Sequence, residues 1–69
     1  MTVDLPTRGI VVANDPVTVR FEPSATGTAH FTATTGTVLR VLGERDDWVQ
    51  VARADGSRGW VERAALERL

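Results

Sequence analysis

His30 is the one histidine in the chain and has the right chemistry for a general base. A base needs a partner to act on. There is no cysteine, and no serine stands in a nucleophile-like motif. His30 adjoins Phe31 where a loop enters a strand, so an ordinary surface or half-packed histidine is the favoured role. Glu44, Asp46 and Asp47 form a second group. Paired carboxylates do acid–base work or bind hard cations. A cation site needs further oxygen ligands at fixed offsets, and the sequence lacks them, so the group reads as a solvated turn. The six glycines are scattered over turn positions and build no phosphate loop. The chain is therefore expected to be no enzyme and to hold no metal or cofactor.

The two tryptophans carry the functional promise. Both lie in DDWVQVARADGSRGWVERAAL, Asp46 to Leu66, each one step before a valine. Residues i and i+2 of a strand share a face. With Val49 and Val51 in the core, Trp48 lies outside or at the rim, beside Gln50. Two roles stand open for it: a contact residue next to a polar turn, or a lid over a small apolar cluster. For Trp60 the favoured role is structural, covering one end of the fold, with Gly59 leaving room for close packing.

These residues need a scaffold, and 69 residues allow one small domain. Hydrophobic residues at 42% and charged residues at 25% suit a folded chain. Little interior remains for an enclosed active site, so a binding site must be a shallow groove. The net charge is −1, without the basic surplus of nucleic-acid binders, and no such partner is expected. No apolar run reaches membrane-spanning length, so direct membrane insertion is not expected either.

The chain reads as short strands with frequent turns. Residues 1–8 read as a leader or linker remnant, and 9–69 as the domain. Gly9 to Asp15 is a β-branched run ended by the turn Asn14-Asp15-Pro16. Val17 to Phe21 alternates, placing Val17, Val19 and Phe21 on one face. Glu22 to Thr28 is a loop, and Ala29 to Ala33 re-enters the sheet. In Thr37 to Glu44, Leu39 and Val41 oppose Val38, Arg40 and Leu42. Trp48 to Arg53 and Arg58 to Glu62 form a hairpin across Asp55-Gly56, a two-residue type I′ signal. Arg63 to Leu66 suits one 3₁₀ turn. No window of helical length keeps an apolar stripe free of glycine and proline. The expected class is all-β: a five- to six-stranded antiparallel barrel with a short 3₁₀ turn near the C-terminus.

In order and spacing, Val19-Arg20, Pro23-Ser24, Gly36-Thr37, Val41-Leu42-Gly43, Trp48-Val49-Gln50-Val51, Asp55-Gly56 and Gly59-Trp60-Val61 resemble bacterial SH3-like (SH3b-type) domains. The resemblance runs from about Ile10 to Leu69 and implies an SH3-like barrel. Pro23-Ser24, Phe31-Thr32 and Leu66-Glu67-Arg68-Leu69 also resemble the domain that ends certain tetratricopeptide-containing proteins of the Bat aerotolerance group. Phe21-Glu22 depart from the small residues that many members carry before the Pro-Ser step. Eukaryotic SH3 domains bind polyproline through an aromatic groove. Trp48 matches its tryptophan, but Glu62 replaces its proline and Ala65 its tyrosine, so polyproline binding is not expected.

The resemblance implies a binding or scaffolding module of a larger bacterial protein, in the cell envelope or periplasm. The expected partners are a protein segment or a peptidoglycan-type glycopeptide, with neighbouring domains of the parent chain, and the isolated domain is expected to be monomeric. The expected contact surface centres on Trp48, the turn of Glu44, Asp46 and Asp47, and the loop from Ser24 to His30, with Arg20 and Arg58 as polar contacts. The alternative is a purely structural capping or spacer domain. A catalytic domain and a barrel that binds single strands through its aromatics are weaker readings.

Overall fold

The structure is a computed structural model that describes residues 7–69. Seven strands follow one another: β1 (Arg8–Val11), β2 (Val17–Arg20), β3 (Ala29–Ala33), β4 (Val38–Arg45), β5 (Trp48–Ala52), β6 (Arg58–Glu62) and β7 (Leu66–Arg68). A 3₁₀ turn, Arg63–Ala65, joins β6 to β7. All pairs are antiparallel, in one sheet of order β3-β2-β6-β5-β4-β1-β7.

One face of each strand is buried, and all seven contribute to a single cluster: Val11, Val19, Ala33, Leu39, Val41, Val49, Val51, Val61 and Leu66. One sheet whose face converges on one cluster must curl around it, which makes the SH3-like barrel. Val19 and Val51 are fully excluded from solvent. Valine suits these sites because its branched side chain is stiff and fills a pleated surface. The alternation expected for β4 and β5 holds: Leu39, Val41, Val49 and Val51 are buried, while Val38, Arg40 and Leu42 are exposed.

The structure revises several details. β1 begins at Arg8, a residue expected to belong to the leader; residues 1–6 of that expected segment lie outside the described residues. The described residues form seven strands rather than five or six. The additional β7 pairs with β1, placing Leu66 opposite Val11 in the core. Phe21 does not join the face of Val17 and Val19. Strand β2 ends at Arg20, and Phe21 is 53% exposed.

The β5–β6 hairpin has a three-residue loop, Ala54-Asp55-Gly56, and not a two-residue type I′ turn. Arg53 N donates to Ser57 O at 2.8 Å, and Gly56 N to Arg53 O at 2.9 Å. Only Gly56 has positive φ, at 92°. A two-residue loop would pair Val49 with Glu62 and Val51 with Trp60, turning both partners inward. The added residue instead pairs Val49 with Val61 and Val51 with Gly59, keeping the apolar face on the core. Gly59 is required there. A Cβ at this position would lie 2.4 Å from Val19 Cγ1 and 2.9 Å from Arg20 O.

Trp60 does not cover a barrel end. It stands on the outer face, half-buried, between Gln50 of β5 and Arg20 of β2 in the register. Val17 and Phe31 are the partly buried side chains packed against the core.

Candidate binding groove

Trp48 opens β5 directly after the turn Asp46-Asp47, where Asp46 takes a left-handed φ of 53° that aspartate tolerates. A β-bulge in β4 shifts the register from Val41↔Val51 to Gly43↔Gln50, so Glu44 comes opposite Val49. That position brings Glu44 to two arginines. Its Oε1 lies 2.8 Å from Arg63 Nη1 and its Oε2 2.7 Å from Arg68 Nη2. Arg63 N also donates to Asp47 O at 2.7 Å, and Arg63 Nη2 to Asp46 O. The turn expected to be a solvated acidic loop is thus partly neutralised and held by the 3₁₀ turn.

Trp48 stands between two open grooves. Asp47, Glu62, Arg63 and Ala64 line one with it. The other runs under the β1–β2 loop, where Asn14, Asp15 and Pro16 face Arg20, Trp48 and Glu62. Glu62 belongs to both because it is the cross-strand partner of Trp48. Asp47, Asp15 and Glu62 give the surroundings of the indole an acidic character. Arg20 is the cation of the second groove, and its Nη1 donates to Gly27 O at 2.7 Å, which fixes the guanidinium.

The other residues singled out in the sequence stand elsewhere. Arg58 lies four positions before Glu62 on β6, so about 13 Å of strand separates them. The β2–β3 loop shares Arg58's end of the sheet. There Ser24 Oγ and Thr26 Oγ1 are 3.0 Å apart, and Glu22 Oε2 accepts from Thr28 N at 2.8 Å. His30 is the extra residue where the register passes from Val19↔Phe31 to Arg20↔Ala29. It stacks on Phe21 with ring centroids 4.3 Å apart and meets Phe31 edge-on at 5.0 Å. Arg53 closes the set, its guanidinium carbon 4.1 Å from the Phe31 centroid. His30 thus belongs to an aromatic stack. Of the residues expected at the contact, Asp47 and Arg20 line grooves with Trp48; Glu44 and Asp46 reach the groove only through Arg63; and Ser24, His30 and Arg58 line neither groove. Asp15 and Arg63 are groove residues that sequence reasoning did not single out. The Asn-Asp-Pro turn was visible, but nothing in it signals a position against β5 and β6.

A family model for bacterial SH3 domains matches residues 13–67, most of the chain. The chain belongs to the bacterial SH3 domain family. No curated protein and no solved structure shows a significant similarity to it. Bacterial SH3 domains are in general non-catalytic modules that bind protein or peptidoglycan. The grooves of this SH3 domain suit that role: they are shallow and open, and they surround a half-buried indole with charged groups.

Proposed function

We propose that this bacterial SH3 domain is a binding module of a larger envelope-associated protein, and that it takes a protein segment or cell-wall glycopeptide beside Trp48. The observation that carries the reading is the position of Trp48 on the outer face between two grooves that share Glu62. An indole face accepts a peptide backbone or a sugar ring, and Asp15, Asp47 and Glu62 accept from its ammonium and amide N–H groups. Arg20 is placed for a carboxylate in the second groove. Ser24, His30 and Arg58 line neither groove and are left out of this contact.

Muropeptides and segments of the parent protein, titrated into isotopically labelled domain, test the reading. Amide shifts are expected at Trp48, Glu62 and the β1–β2 loop. If no ligand moves these signals, the groove reading fails. The alternative, a spacer without a ligand of its own, draws on the ion pairs of Glu44, which spend the acidic turn on holding the C-terminal segment. In that case Trp48→Ala changes stability and nothing else.

A further inference from the structure

Away from Trp48, antiparallel pairing assembles arginines that are far apart in sequence. Arg8 of β1 is directly opposite Arg40 of β4, Arg40 opposite Ala52 of β5, and Ala52 opposite Arg58 of β6. The row lies on the outer face, where all three arginines are exposed. They line one groove together with Arg53. Arg53 pairs with Asp55 at 3.0 Å; Arg8, Arg40 and Arg58 make no ion pair among the described residues. Like charges directly opposite on a sheet are destabilising. The fold accepts this although the chain's net charge is −1. On β4, Arg40 is flanked by Val38 and Leu42, 49% and 42% exposed.

We propose that this row is a second interaction surface, built for an extended acidic protein segment. It does not rest on the groove beside Trp48. From Arg8 to Arg58 the row crosses three strand spacings, about 14 Å. Carboxylates at positions i, i+2 and i+4 of an extended chain span about 13 Å, the length of the row, and the long arginine side chains take up its uneven gaps of about 5 and 10 Å. Val38 and Leu42 meet the aliphatic parts of such a segment. They offer nothing to a phosphodiester backbone. No aromatic side chain lines the groove, so nucleic-acid bases have nothing to stack on.

The test uses the whole 69-residue chain and a dye-labelled hexapeptide of alternating glutamate and valine. Its glutamine–valine counterpart and an oligothymidylate of equal charge serve as comparisons. Fluorescence anisotropy is expected to show binding of the acidic peptide at low salt that weakens as salt rises. Arg40→Gln is expected to weaken it about tenfold, the loss of one charge-assisted hydrogen-bonded pair. Arg45→Gln removes the same charge from β4 outside the groove and is expected to leave binding within about twofold. Trp48→Ala is expected to leave it intact, which separates this surface from the groove. The proposal is overturned if the acidic peptide does not bind, if the glutamine peptide binds equally well, or if the two arginine variants weaken binding alike. Tighter binding of oligothymidylate than of the peptide overturns the choice of partner.

Discussion

Gly59→Ala tests the seam on which both the barrel and the groove depend. Strands β2 and β6 meet in register at one pair, Arg20 and Trp60, and Gly59 is the residue beside it. An added methyl would approach Val19 Cγ1 to 2.4 Å and Arg20 O to 2.9 Å, while ordinary contact begins at 3.4 Å. The shortfalls are 3.4 − 2.4 = 1.0 Å and 3.4 − 2.9 = 0.5 Å. Val19 is fully buried and stiff about its branched carbon, and the carbonyl is backbone, so neither yields easily. Overpacking of this kind costs about 1–3 kcal/mol, here toward the upper end because backbone is involved. Loss of glycine's freedom in the unfolded chain offsets about 0.4–1 kcal/mol. A net loss of about 1–2 kcal/mol is expected, which lowers Tm by roughly 5–15 °C in a domain of this size. Urea unfolding followed by circular dichroism should show a lower midpoint at unchanged slope. Gly43→Ala is the control. Nothing lies within 4 Å of its added Cβ, so a change of no more than about 0.5 kcal/mol is expected. Equal stability of Gly59→Ala and wild type, or equal losses in the two variants, would refute the close approach of β2 and β6.

Three further outcomes follow from the same geometry. Trp48→Ala is expected to cost about 1–2 kcal/mol in thermal unfolding, less than the roughly 3–5 kcal/mol of a fully buried tryptophan, while abolishing muropeptide- or peptide-induced shifts in the groove. A loss in the full range with ligand shifts retained would make Trp48 a lid. Arg40→Gln relieves the repulsion with Arg8, so its Tm is expected to equal or exceed that of wild type at low salt; a clear drop counts against an arginine row held at a cost. Asp55 accepts from Ser57 N at 2.9 Å, and this hydrogen bond, helped by Arg53, holds its carboxyl below the ordinary 3.8. A depressed folded value contributes stability that is present above 3.8 and lost as pH falls through that folded value. Asp55→Asn keeps the acceptor and is expected to flatten the acid limb of Tm against pH; an unchanged acid limb would count against the interaction.

Much of the fold was legible because period-two alternation and turn residues report directly on a half-buried strand. Leu39, Val41, Val49 and Val51 fell on the expected face for that reason. β7 escaped because Leu66–Arg68 carries one apolar residue in three, too short a run to show a period. The Asp55-Gly56 signal was right about the reversal and wrong about its length, since the burial of Val49 and Val61 outweighs the preferred turn. Phe21 followed the alternation of β2 in sequence only. Its N–H bonds to Thr28 O, and its ring turns to His30. Of the candidate site, Trp48 and its position outside the core followed from i, i+2 geometry. The ion pairs of Glu44 with Arg63 and Arg68 did not, because they arise from a bulge and from chain closure at β7. The arginine row was equally hidden: it exists only once three registers are known.

The two ends of the sheet are unequally guarded. β7 carries Glu67 and Arg68, charges that discourage a second strand from adding to it. β3, Ala29-His30-Phe31-Thr32-Ala33, is hydrogen-bonded to β2 alone among the described strands and has no carboxylate or arginine of its own. Its free backbone groups form the template along which a stray strand, or another copy of this chain, would most readily add. The bulge at His30 limits this by twisting half of the edge out of line. Self-association at high concentration is therefore expected to begin at Phe31–Ala33, and Thr32→Lys, whose charge would stand beside Thr18 at the rim of the second groove, is expected to suppress it.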